Sequence, residues 1–423
     1  MQGTGERGRS LATHGQVSAT LQRGVLIAMP IVLGILILIV RRPEAVFRPQ
    51  FLGEEAAAFY AATFVLNPVE AILNSWNGFI YLGPRLAFAL SRLVPPPYAP
   101  VATFAFFALG MAWTAVFVRS SRMAQAIPDA RVRWFAALAV FLLPFATGEY
   151  ASVLQVPWWW AIYLAALLVA TDPQSRAERW MDRIGAAVAA FSGPVALLLA
   201  PLYLARGTKR VDLAVIVGAG AAVQLVAFLM SPRRPAEGID LLRVPIVLVE
   251  RVGVLPFGDV LGQYLFQLSD RRLLLALLPI LISFLWAARS LPRRSLLVFG
   301  YVAIAIPIVG FMAVPTEGMR GASHGARYFI PLAWLMMITA AAALTDRRPS
   351  ALILLAAFTL GLAFSWRGWP FDDTDWTLHA YCIGSRTPCV VPMDPPVWNV
   401  YWPGSGEFRV PAAAGPSGEP VYR

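Results

Sequence analysis

The sequence predicts an all-α integral membrane protein: about nine full spans, one broken half-helix hairpin, amphipathic helices on the outer face and a small C-terminal tail. Three observations carry this. Hydrophobic residues make up 58% of 423 and charged residues only 14%, more apolar surface than a soluble fold can cover. Apolar windows of spanning length recur along the chain, and the arginines gather in the short loops between alternate windows.

The spans fall at 24–40, 98–118, 134–147, 155–171, 211–230, 272–290, 295–314, 328–345 and 350–366. A tenth apolar stretch, 184–204, is interrupted by Ser192-Gly193-Pro194. Read as one crossing, it would put Arg206, Lys209 and Arg210 outside and invert everything after it. Read as two half-helices folded at that tripeptide, it keeps them inside with Arg119, Arg122, Arg131, Arg133, Arg176, Arg179, Arg183, Arg293, Arg294, Arg347 and Arg348. The broken hairpin is therefore the reading adopted, with the N-terminus cytoplasmic and the C-terminus extracytoplasmic. Arg41 and Arg42 oppose it, lying outside at the end of the first span. The net charge of +11 is dispersed over loops, so membrane orientation explains it without nucleic acid.

Residues 1–22 read as a cytoplasmic tail, 23–366 as the polytopic domain and 367–423 as an extracytoplasmic segment. No cleavable signal is evident, because Arg41-Arg42-Pro43-Glu44 follows the first span. No internal repeat is visible. Within the first outer loop, 41–97, residues 54–72 and 76–93 read as helices lying along the bilayer surface, with Arg85 and Arg92 on one side of the second. Cys382 and Cys389, the two cysteines, can pair in an oxidising outer compartment.

Glu54 and Glu55 open the first of these helices. Acidic residues there complement the helix dipole and stay solvated; a carboxylate at a water–lipid boundary can also act as general base on a hydroxyl. Glu149 lies in a brief outer turn before Pro157-Trp158-Trp159-Trp160, an interfacial belt by composition and a surface on which a carboxylate could orient a sugar. The segment 316–331 brings Arg320, His324 and Arg327 to the mouth of a span, where guanidinium forks suit a lipid-borne phosphate. Gly321-Ala322-Ser323-His324-Gly325 matches a hydrolase pattern but lacks its strand–turn–helix setting. Asp372-Asp373-Thr374-Asp375 reads as a solvated acidic run, and His379 with the two cysteines lacks a fourth zinc ligand. No phosphate-binding Walker loop precedes Lys209.

One span followed by a long outer loop with paired acidic residues resembles the GT-C superfamily of membrane glycosyltransferases. Gly-Phe-Ile-Tyr-Leu-Gly-Pro-Arg at 78–85, Gly148-Glu149, the Leu-Ala-Pro-Leu after Ser192-Gly193-Pro194, and Ala-Arg-Tyr-Phe at 326–329 are similar to bacterial members. The outline covers most of residues 20–366. Many relatives carry an Asp within the pair and a Gly after it, where this chain has Glu54-Glu55-Ala56.

The resemblance implies an inverting transferase of the bacterial inner membrane, moving a sugar from a polyprenyl-phosphate donor to a glycan or lipid acceptor at the outer face. Glu54 or Glu55 would be the base, Arg327 and Arg320 would hold the donor phosphate, and Glu149, Arg85, His324 and Tyr328 would bind substrate. No cofactor is required and a divalent metal is optional. The rival is a non-enzymatic transporter of lipid-linked saccharides or a partner subunit of another transferase. Transporters line their route with ionisable residues, whereas these spans have few.

Overall fold

The computed structural model describes residues 28–51, 55–144, 153–206, 210–231, 239–314, 316, 319, 325–366, 376–385, 387–391, 400–403, 411–412 and 421–422. It is a helical membrane protein. Among the described residues five helices are long and apolar enough to cross a bilayer, and four apolar helices are shorter. The first part of the chain gives α1 (Ala28–Arg41), α2 (Glu44–Phe47), a π-helix (Glu55–Tyr60), α3 (Ala62–Val65), α4 (Pro68–Leu73) and α5 (Leu82–Ser91). The bundle continues with α6 (Ala99–Arg119), α7 (Ala130–Ala139), α8 (Val156–Val169), α9 (Arg176–Ala190), α10 (Val195–Ala205) and α11 (Val211–Met230). After α12 (Val244–Val254) and α13 (Gly258–Phe266) come α14 (Asp270–Ala288), α15 (Arg293–Ala313), α16 (Ile330–Thr345), α17 (Ser350–Phe364) and α18 (Trp376–Ser385). Of the nine windows, 134–147 departs from expectation: its described residues hold the last six residues of the ten-residue α7 and then leave the helix. Two small antiparallel strand pairs follow in the tail, Pro388–Val391 with Val400–Pro403 and Pro411–Ala412 with Val421–Tyr422.

The break at Ser192-Gly193-Pro194 is real. Gly193 sits at φ +95°, a conformation that only glycine adopts without strain, and Pro194 cannot continue the preceding hydrogen-bond ladder. Asp182 in α9 pairs with Arg210 at the start of α11, and Gly220 in α11 lies against Ala190 at the end of α9. These two helices therefore run in the same direction. Chain α10 returns between their ends, placing Tyr203 Oη on Leu164 O at 2.8 Å and Arg206 Nη1 on Leu167 O at 2.8 Å. Both feet of the hairpin thus stand at one end of the bundle, with Arg122, Arg210 and Arg294.

The expectation of surface helices in 41–97 is overturned for α5. Trp76 and Phe79 close a tight turn through Asn77 (φ 53°) and Gly78 (φ 80°), the paired positive angles of a type I′ hairpin. Beyond it, Ile80 is clamped by Gln224 of α11: its N–H donates to Oε1 and its C=O accepts from Nε2, both at 2.9 Å. The hairpin tip completes the seat, since Leu82 N donates to Phe191 O, Gly193 N to Ile80 O, and Gly83 N to Ser192 Oγ at 2.8 Å. Gly83 lies so close to Trp160 that a Cβ there would be 2.2 Å from the indole, and Trp160 also borders Gly110, halfway along α6. The segment packs on protein beside the middle of α6, its backbone polar groups satisfied by protein, the condition that irregular backbone meets wherever it lies away from water. An amphipathic pattern reads alike for a helix on lipid and one packed on protein, so periodicity alone could not separate them.

Replacing Gln224 with leucine leaves the Ile80 N–H buried and unpaired, while its carbonyl keeps Gly193 N. The expected loss is about 1–3 kcal/mol, read as a lowered unfolding midpoint of the purified protein.

Arg41 and Arg42 are buried, so neither is a solvated loop charge of the kind that the loop-charge rule counts. Arg41 donates to Phe141 O at 2.8 Å and Trp366 O at 3.3 Å, capping carbonyls past the ends of α7 and α17, and its guanidinium lies 5.9 Å from the Trp366 ring. Arg42 pairs with Glu44. In the tail, the Trp376 indole of α18 donates to Pro96 O at 3.1 Å and packs edge-on against Phe51, fastening the tail to the first loop.

Candidate functional site

The first loop folds into an aromatic block around the π-helix. Phe59 and Tyr60 from that helix meet Phe51, Phe88 of α5 and Trp376 of α18, with ring centroids 4.8 to 6.0 Å apart. Glu55 is the first residue of the π-helix and is 6% exposed. π-Helical turns are rare, and they occur frequently at functional sites because the extra residue re-aims a side chain.

Arg85 and Arg92 share one side of α5, as their spacing implies, and that side grips this block rather than lipid headgroups. Arg92 donates to Thr63 O and lies over Phe64. Arg85, 1% exposed, donates from Nη1 to Ala58 O at 2.9 Å and lays its guanidinium 4.2 Å from the Phe59 ring centre. Its Nε and Nη2 have no hydrogen-bond partner among the described residues. Structure therefore joins Arg85 to the helix that Glu55 begins, three residues before Ala58.

The head of α8 forms the neighbouring wall. A 3₁₀ turn, Val153–Gln155, packs against α5 and leads into Pro157 and the three tryptophans. Trp160 faces Gly83, while Trp158 meets the Tyr328 ring at 5.0 Å, so successive indoles divide the first loop from the start of α16. Tyr328 is buried, and Arg327 is half-buried with its guanidinium 5.3 Å from the Tyr328 ring.

Three ionisable groups here escaped the sequence reading. Arg251, with Glu250 on α12, is buried, donates to Met319 O and sits between Phe266 and Phe329 at 5.3 and 5.5 Å. Burial pushes its guanidinium down to about 10, against the opposing pull of Asp259 at the start of α13. The signal was a charged pair set between the apolar stretches Val244-Pro245-Ile246-Val247-Leu248-Val249 and Val252-Gly253-Val254-Leu255, where a solvated loop would be indifferent to hydropathy. Gln155, 2% exposed with Oε1 unpartnered, had no signal in a window read as span.

Glu54, Glu149, Arg320 and His324 lie outside the described residues, as do Asp372, Asp373 and Asp375. Cys382 is disulfide-bonded, and the chain has one other cysteine, Cys389. Among the described residues no three His, Cys, Asp or Glu side chains gather in a metal-holding group. Comparison with family models, curated proteins and solved structures finds no match to this chain.

Proposed function

We propose that the protein is an inverting membrane glycosyltransferase of GT-C type that moves a sugar from a polyprenyl-phosphate donor to an acceptor hydroxyl. The observation that carries this reading is Glu55, a carboxylate buried at the head of a π-helix within a loop that is itself packed into the bundle. In the proposed step the acceptor oxygen attacks the anomeric carbon as its proton passes to Glu55. The bond from that carbon to the phosphate oxygen breaks on the opposite face, and the lipid phosphate leaves with the electron pair. Because the leaving group is already a stable anion, the protein's work is orientation, proton removal and cationic support.

Buried arginine-rich contacts at one end of the bundle agree with that end facing the cytoplasm of a bacterial inner membrane, and the first loop then opens to the outer face. The acceptor is a glycan or a lipid-linked glycan, and a nucleotide has no role. The test is transfer of label from polyprenyl-phosphate sugars by the purified full chain, without nucleotide. Transfer with inverted anomeric configuration is expected; absence of transfer across donors and acceptors would return the choice to a saccharide transporter or a partner subunit.

A further inference from the structure

A guanidinium is always charged, and burying it without matching acceptors carries a penalty of several kcal/mol that folded proteins offset with a counter-charge. Arg85 is 1% exposed, yet Ala58 O occupies only one of its donors, and the Phe59 face supplies no acceptor for Nε or Nη2. Its five N–H groups in a planar fork fit two oxygens of one tetrahedral anion. Three of the buried arginines are paired differently. Arg122 and Arg210 share Asp182, and Arg41 caps two backbone carbonyls.

The position is built rather than incidental. The α5 backbone below Arg85 is fixed by Gln224, Ser192 and Gly193, and Phe59 and Ala58 hold the guanidinium plane from the π-helix. The 3₁₀ turn that packs on α5 presents the complementary deficit, since Gln155 Oε1 is buried and lacks a donor among the described residues.

We infer that Arg85 is the receptor for a phosphate-class anion, held through Nε and Nη2 beside the π-helix that Glu55 begins. The inference deepens the reading above, because the donor's phosphate is the anion which that chemistry supplies, and it moves this role from Arg327 to Arg85. Anion capture is measurable without any sugar transfer, so the two claims fail separately.

The experiment is thermal unfolding of the purified full chain in neutral detergent, with inorganic phosphate, farnesyl phosphate or chloride at matched ionic strength. Wild type is expected to gain several degrees from phosphate species and nothing from chloride. A gain from farnesyl phosphate at far lower concentration identifies a lipid headgroup as the source; equal gains identify the free anion. The Arg85→Gln and Arg85→Met variants, which remove the uncompensated charge, are expected to match or exceed wild type without phosphate and to lose the phosphate gain. Arg85→Lys, which keeps the charge without the fork, retains a weakened gain. A wild type indifferent to both phosphate species would overturn the inference, as would a folded Arg85→Gln protein that keeps the full gain. If the neutral variants do not fold, the wild-type comparison against chloride and the lysine variant still decide.

Discussion

Replacing Asp182 with alanine is expected to cost about 3–5 kcal/mol of stability. The carboxylate is 1% exposed and receives two hydrogen bonds from Arg122, at 2.7 and 2.8 Å, and a third from Arg210 at 3.0 Å. Arg122 follows the end of α6, Asp182 belongs to α9 and Arg210 precedes α11, so one side chain ties three elements at a single end of the bundle. Its removal leaves Arg122 with the Thr171 carbonyl and Arg210 with a 3.5 Å approach to Asp212 in a desolvated site, which explains why the loss exceeds the worth of any one contact. The neighbouring pair Arg183–Asp212, at 2.9 Å but 34% and 24% exposed, provides the contrast. Asp212→Ala is expected to cost under about 1 kcal/mol for that pair, because solvent screens it. Unfolding midpoints of the two variants check the ranking, and equal losses would refute the account. Replacing Asp182, Arg122 and Arg210 together with apolar residues of similar volume is expected to cost less than Asp182→Ala alone.

The second large effect is on rate. Glu55→Gln keeps the volume of the side chain and removes its basicity, so sugar transfer is expected to fall roughly 100- to 10,000-fold with the protein still folded. The change should appear in kcat, since a base acts in the transition state, with donor KM little altered. Glu54→Gln is the comparison. Equal loss in both variants, or none in either, would remove Glu55 from the proposed role.

How far the sequence carried the structure differs from one element to the next. The α9–α10 hairpin was legible because three residues with strong backbone preferences interrupt an apolar run, and because the loop charges excluded the alternative. The cysteine pairing was legible from number, since two cysteines allow one bridge within the chain. The packing of α5 was hidden for a physical reason: the same aromatic and aliphatic face serves a lipid surface and a protein groove. Its one sequence clue was Gln224, an amide in the middle of an apolar helix, where a polar side chain needs a partner. Arg41 was misleading because loop-charge counting treats every arginine as a topological marker, whereas this one caps two carbonyl groups. For the candidate site, residue chemistry offered the pair Glu54 and Glu55 and the resemblance added Arg85, while only packing revealed which of the Arg85 donors are engaged.

The seat of the segment 79–83 also sets a clock on how the protein is made. Ile80 is held by a residue 144 positions further on, and Gly83 by one 109 positions further on. At ribosomal speeds of about 5–20 residues per second, Gln224 leaves the ribosome roughly 7–30 s after Ile80. Throughout that interval Ile80 has been synthesised and Gln224 has not, while Phe191, Ser192 and Gly193 emerge only in its last part. The local Asn77-Gly78 turn can form at once, but docking must wait for α9, α10 and α11 to enter the membrane. Insertion of the first spans and completion of the first loop are thus separate events, and the second belongs to the nearly finished chain.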